Sequence, residues 1–147
     1  MTSNFSAWTL EETIPSDLTE GHRVLEELLA RLGAENWSSR DMFGFRMALE
    51  EAVVNAIKHG NRLDKAKRVH VICKSTCEGV WVKVADEGPG FNPNAVPDCT
   101  DPDRIDVPSG RGIMLMRNYM SRVEYIDRGN VVVMEKQRNE LSGSPRG

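Results

Sequence analysis

The sequence predicts a two-layer α/β sandwich, with a mixed, mostly antiparallel sheet and its helices on one face. Three observations lead there. Residues 18–32 and 39–57 carry apolar side chains at helical spacing. Short β-branched runs at 69–74 and 80–85, and again at 123–126 and 131–135, flank turn residues, so strands come as hairpins and the sheet cannot be all parallel. The chain of 147 residues is the length of one domain, 1–147, and a domain of this size buries roughly 68–70% of the surface its unfolded chain exposes.

The elements follow in order. Residues 5–14 mix apolar and polar side chains and suit an edge strand. Pro15-Ser16-Asp17 punctuates the chain, and Ser16 or Asp17 can cap the helix that follows. That helix runs to about Leu32 with Leu18, Val24, Leu25, Leu28 and Leu29 on one face, and Gly33 ends it. A second helix starts at Ser38-Ser39 with Asp41 in its first turn. Its stripe of Phe45, Leu49, Ala52, Val53, Ala56 and Ile57 closes at His59-Gly60-Asn61. In the next hairpin Val80, Val82 and Val84 alternate with Trp81 and Lys83, which gives one core face and one partly wet face. Residues 86–112 hold five prolines and are too long for a plain connector; such loops are usually functional or disordered. A third helix starts near Gly112, and Asp127-Arg128-Gly129-Asn130 turns the last hairpin. The tail, 142–147, is expected to be disordered.

Composition narrows the function. Lys plus Arg total 19 and Asp plus Glu 22, a net charge of -3, so there is no basic excess to grip nucleic acid. No apolar run approaches the ~20 residues of a membrane span, and the N-terminus lacks the pattern of a secretory signal. The three cysteines, Cys73, Cys77 and Cys99, are too few and too widely spaced for a disulfide framework or a zinc site; Cys73 reads as packing, and a reducing cytoplasm is the expected compartment.

Three clusters could carry chemistry. Glu51 and Asn55 stand four apart, on adjacent turns of one helix face, beside the apolar stripe. A carboxylate there can accept a proton from a hydroxyl, and a carboxamide oxygen is a hard ligand suited to magnesium; a solvated helix face has the same spacing. Asp86-Glu-Gly88-Pro-Gly90-Phe91 follows a strand directly. Its glycines allow close backbone approach, and an acidic group at a strand end can accept a hydrogen bond from an exocyclic amine; a plain Gly-Pro turn also fits. Ser109-Gly110-Arg111-Gly112-Ile113 opens a helix, where exposed amides and the helix dipole favour phosphate. It is neither a Walker loop nor a dinucleotide fingerprint, because it lacks Gly-Lys-Ser/Thr and follows a loop.

In order, spacing and context the three clusters resemble the ATP-binding domain shared by gyrase, Hsp90, histidine kinases and MutL. Glu51-x-x-x-Asn55 resembles its N box, Asp86-x-Gly88-x-Gly90-Phe91 its first glycine box, and Gly110-x-Gly112 its second. Within that superfamily, Glu51-Ala-Val-Val-Asn55-Ala-Ile-x-His59-Gly60 and Gly110-Arg-Gly112-Ile113-x-Leu-Met116 are similar to the stand-alone serine kinases that act as anti-sigma factors in partner-switching systems. The resemblance spans about 17–136.

It implies a Bergerat-type fold, ATP and Mg2+ as ligands, and a protein-serine kinase that phosphorylates its antagonist and holds a sigma factor, with a homodimer as a possible form. It implies that Asn55 holds magnesium, that Glu51 is the base, and that Asp86 reads the adenine amine. Gly88 and Gly90 would shape the adenine pocket, and Gly110, Arg111 and Gly112 would wrap the phosphates under a lid at 92–109. Two features depart from the pattern. The last strand reads Val131-Val132-Val133-Met134, where members often carry a threonine near the adenine, and the lid holds Asp98, Asp101, Asp103 and Asp106 against Arg104. The alternative is a nucleotide-gated binding module of the same fold that transfers nothing. Glu51 favours the kinase, since a module needs no base, while the missing threonine and the acidic lid lean toward the module.

Overall fold

The computed structural model describes residues 7–89, 110–127 and 129–138. Its elements run β1 (Trp8–Pro15), α1 (Leu18–Gly33), α2 (Ser39–Val54), a π-helical turn (Asn55–Gly60), β2 (Arg68–Thr76), β3 (Gly79–Ala85), α3 (Gly110–Tyr119), β4 (Arg122–Ile126) and β5 (Val131–Gln137).

Local chemistry accounts for the helix ends. Asp17 has extended backbone and its carboxylate accepts the Thr19 amide at 2.8 Å, so Asp17 caps α1. Ser16, the other candidate cap, is instead fully buried and donates to the Lys67 carbonyl at 2.8 Å. Ser38 caps α2, accepting the Asp41 amide at 3.0 Å. Gly33 is the last residue of α1, and Ala34 forms the cap beyond it. The expected stripes are buried, except that Leu18, in the first turn of α1, is exposed at the helix end.

The sheet has five strands in the order β1-β2-β3-β5-β4, and all four pairings are antiparallel. The chain therefore leaves β3, passes through α3, returns at the outer edge as β4 and turns inward to β5 beside β3. Val71, Cys73, Val80, Val82 and Val84 pack on one face with Leu28, Phe45 and Leu49 of the helices, while Trp81 and Lys83 on the other face are partly exposed. Alternation along the hairpin thus decides which face the helices cover.

The two ends of the sheet differ. At one end Glu35, after α1, accepts hydrogen bonds from Trp8 Nε1, from Ser75 Oγ at 2.8 Å and from Arg138 Nη2 at 3.3 Å, and the Arg138 guanidinium lies 4.2 Å from the centre of the Trp37 ring. This carboxylate ties β1, β2 and the end of β5 to the α1–α2 connection. The other end collects the close of β1, the start of β2, the end of β3 and the turn before β5. Asp86 and Gly88 lie there, against the Gly60 end of the helix that carries Glu51 and Asn55. Among the described residues no helix is long and apolar enough to cross a membrane.

Candidate functional site

Glu51 and Asn55 meet as their spacing requires. Both are partly buried on α2 and its continuation, and Asn55 Nδ2 donates to Glu51 Oε2 at 3.0 Å. With the amide nitrogen on Glu51, the carboxamide oxygen is turned away from it. Among the described residues no three His, Cys, Asp or Glu side chains gather into a metal cluster. A hard cation that takes one protein oxygen and completes its shell with phosphate and water fits that donor set, which is how magnesium commonly binds with nucleotides.

The helix does not continue regularly, as its apolar stripe suggested. From Asn55 it widens into a π-helical turn, with the Asn61 amide bonding five residues back to the Ala56 carbonyl at 2.9 Å. Such widened turns occur mainly as single turns, often at functional sites. The wider turn brings Gly60 against Asp86. A Cβ on Gly60 would lie 2.4 Å from Asp86 Cγ, and a Cβ on Gly88 would lie 1.9 Å from the Gly60 carbonyl oxygen. Gly88 admits no side chain while the two segments are packed like this, and one on Gly60 would force the Asp86 carboxylate to move.

Asp86 is held from several directions. Its amide donates to the Asn130 carbonyl at 2.9 Å, and Asn130 Nδ2 donates back to the Asp86 carbonyl at 3.0 Å. Its own carboxylate accepts the Gly88 amide at 2.8 Å. The next residue is fixed by Asn61, which is 1% exposed: Asn61 Oδ1 accepts the Glu87 amide at 2.8 Å, while Nδ2 donates to Ser16 Oγ at 2.8 Å and to the Arg68 carbonyl at 2.9 Å. One carboxamide therefore joins the end of β1, the start of β2, the end of the helix and the loop after β3. From the sequence, Asn61 reads as part of the close of the second helix and Asn130 as part of a hairpin turn. The available signal was an amide side chain directly after Gly60 and one directly before a strand.

Tyr125 of β4 was not singled out from sequence either. Its phenol is partly buried, and burial raises its pKa above the ordinary value. The charge of Glu51 pushes it further up, Arg117 opposes this, and Asp86 adds to the rise. Tyr125 therefore lies within electrostatic reach of both predicted site carboxylates.

Gly110, Arg111 and Gly112 form the first residues of α3, which starts two residues earlier than expected. Gly90, the segment 92–109 and the tail 142–147 lie outside the described residues.

This geometry pairs a carboxylate with a carboxamide on one helix, sets a second carboxylate against a glycine at the helix end, and has a further helix whose first residues are Gly110, Arg111 and Gly112. Residues 14–136 match the histidine kinase-like ATPase domain. The chain belongs to that family. Membership implies ATP binding, usually with a divalent cation. Among curated relatives, the chain is 26% identical over 120 residues to a serine/threonine-protein kinase, BtrW, of Bordetella bronchiseptica, covering 80% of this chain and 82% of the relative. It is 31% identical over 107 residues to an anti-sigma F factor of Clostridium perfringens, covering 67% of this chain and 74% of that one. It is 28% identical over 99 residues to an anti-sigma F factor of Oceanobacillus iheyensis, covering 63% and 66%.

Proposed function

We propose that this chain is an ATP-dependent protein-serine kinase of a partner-switching system, an anti-sigma factor that phosphorylates its antagonist. The observation that carries the reading is the Glu51–Asn55 pair, 3.0 Å apart, at the sheet end where Asp86 is packed on Gly60. It sets a proton acceptor beside a hard oxygen ligand, close to a carboxylate suited to the adenine amine. The names of the relatives support both the kinase and the anti-sigma assignments.

In this reading Asp86 accepts a hydrogen bond from the adenine amino group. Gly88 and Gly90 shape the base pocket; Gly110, Arg111 and Gly112 take the phosphates, and 92–109 covers them. Asn55 offers its carboxamide oxygen to magnesium, which when bound neutralises phosphate charge. Glu51 accepts the proton of the incoming serine hydroxyl as the serine oxygen bonds to the γ-phosphorus. The bond to the bridging oxygen breaks with its electron pair leaving on ADP. The protein's part is mainly to position these groups and balance their charge. A sigma factor as a second partner and a homodimer as the working form belong to the same reading.

The test is incubation with γ-labelled ATP, magnesium and candidate antagonist domains. Glu51→Ala should keep ATP affinity within a few-fold and lose transfer by about 10²–10⁴, the usual worth of a general base. Glu50 is the control. It lines a crevice between α1 and α2 with Leu18 and His22, away from Asn55, so Glu50→Ala should retain transfer. Wild-type protein that binds ATP yet phosphorylates no antagonist would favour the nucleotide-gated module.

A further inference from the structure

The core-facing rows of the sheet end in one aromatic side chain. Val71, Val84, Val132 and Tyr125 are successive cross-strand partners over β2, β3, β5 and β4. The three valines are at most 5% exposed and face the helices. Tyr125 completes the row on the edge strand and packs against the same core. One register position further come Ala85, Val131 and Ile126, and beyond them Asp86 and Asn130 are joined by two hydrogen bonds. Tyr125 thus stands on the last core-facing row before the loops of the candidate site. Glu51 on α2 and Asp86 after β3 both bear on its phenol. Over β2, β3 and β5 this row carries only valines; its polar groups stand at its two ends, Glu12 on β1, which is paired with Arg23, and the Tyr125 hydroxyl on β4 beside the candidate site.

We propose that Tyr125 is a nucleotide-contact residue: its ring forms part of the floor beneath the base, and its hydroxyl donates a hydrogen bond to a purine ring nitrogen. The assignment rests on the reading of Glu51, Asn55 and Asp86 as the nucleotide site and adds to it a residue from the edge strand. The chemistry suits the place. A neutral phenol donates a hydrogen bond, and purine ring nitrogens accept one. A tyrosine presents an apolar body to the core and a polar tip at its margin. Asp86 would then take the donor side of adenine while Tyr125 takes an acceptor side, so the two recognise complementary features of one base.

The test uses the full chain with ATP and magnesium, comparing wild type with Tyr125→Phe, which keeps the ring. Labelling tyrosine Cζ with carbon-13 gives signals from the two tyrosines of the chain, and the one lost in Tyr125→Phe belongs to Tyr125. ATP should shift that signal in wild type. Tyr125→Phe should bind ATP about five- to tenfold more weakly by calorimetry, the worth of one hydrogen bond, while still unfolding in urea as a folded protein does. If wild type binds ATP, the variant binds it equally and the signal does not move, the Tyr125 contact is refuted while the nucleotide site stands. If wild type binds no ATP, both fall together. Equal ATP affinity with lost phosphotransfer would also overturn the contact, since Tyr125 would then act through Glu51.

Discussion

Replacing Asn61 should damage both the fold and the nucleotide site, and the geometry sets the size of the effect. Asn61→Ala removes three hydrogen bonds of 2.8–2.9 Å around a side chain that is 1% exposed. Ser16 Oγ keeps its bond to the Lys67 carbonyl, but the Glu87 amide and the Arg68 carbonyl each lose a partner. An intramolecular hydrogen bond is worth about 1 kcal/mol net, and a buried group left unpaired costs about 1–3 kcal/mol. The bonds to Glu87 and Arg68 are only part-buried and water can take up some of the loss, so the expected cost is about 1–3 kcal/mol, still a large share of the roughly 5–15 kcal/mol that holds a domain folded.

Urea unfolding measures that loss as a lower midpoint at constant slope. Hydrogen exchange at the Glu87 amide, which should become fast, reports whether the loop after β3 has been released. Asn61→Asp refines the test. The carboxylate can still accept from Glu87, but it cannot donate to Ser16 or Arg68, and it buries a charge. Burial raises its folded pKa above the roughly 3.9 of an unfolded Asp, so the folded state binds more protons. Stability should then fall as pH rises through that window and recover on acidification. An Asn61→Ala protein that loses under about 1 kcal/mol, with the Glu87 amide as protected as in wild type, would refute the argument.

Two further outcomes are expected. Gly60→Ala places a Cβ 2.4 Å from Asp86 Cγ, which a rotation of the Asp86 side chain relieves, so calorimetry should show ATP binding lost while the urea midpoint moves little. The Cys73 thiol is pushed up to about 12 by burial, with the Glu35 charge adding and Arg31 opposing, so in a Cys99→Ser background a thiol reagent at pH 8 should label exposed Cys77 at once and Cys73 only after unfolding, as read by peptide mass mapping.

The parts of this molecule that were legible in its sequence are those fixed by local periodicity. The apolar stripe of α1, the alternation of Val80, Val82 and Val84, and the four-residue spacing of Glu51 and Asn55 each follow from the repeat of one element, and each is present. The π-helical turn from Asn55 was not legible, because the stripe continues through Ala56 and Ile57 and both residues are buried whichever way the turn is wound. Ser16 and Asp17 were equivalent as caps on paper. What separated them was Asn61, 45 residues away, which takes the Ser16 hydroxyl into the interior. Asn130 and Tyr125 were missed for the same reason. Their importance comes from which strands lie side by side, and the order β3-β5-β4 cannot be read from either hairpin alone.

The arrangement around Gly60 explains why the site residues stand in two distant stretches of chain yet depend on each other. Asn55 is fixed by the helix, and Asp86 by the sheet through Asn130. Nothing in either element sets the distance between them. That distance is set where the widened turn brings Gly60 against Asp86, with Gly88 stacked on the Gly60 carbonyl and Asn61 clamping the Glu87 amide. The backbone contact of Gly88 on Gly60 and the short buried carboxamide of Asn61 leave less play than two long flexible side chains would, and a nucleotide that touches helix and sheet at once requires their spacing to be fixed beforehand. Gly60, Asn61 and Gly88 therefore act on the ligand by holding Asn55 and Asp86 at one separation. Loosening any of them should weaken the grip on phosphate and base together, whereas changing Asn55 or Asp86 alone should weaken one end of the nucleotide at a time.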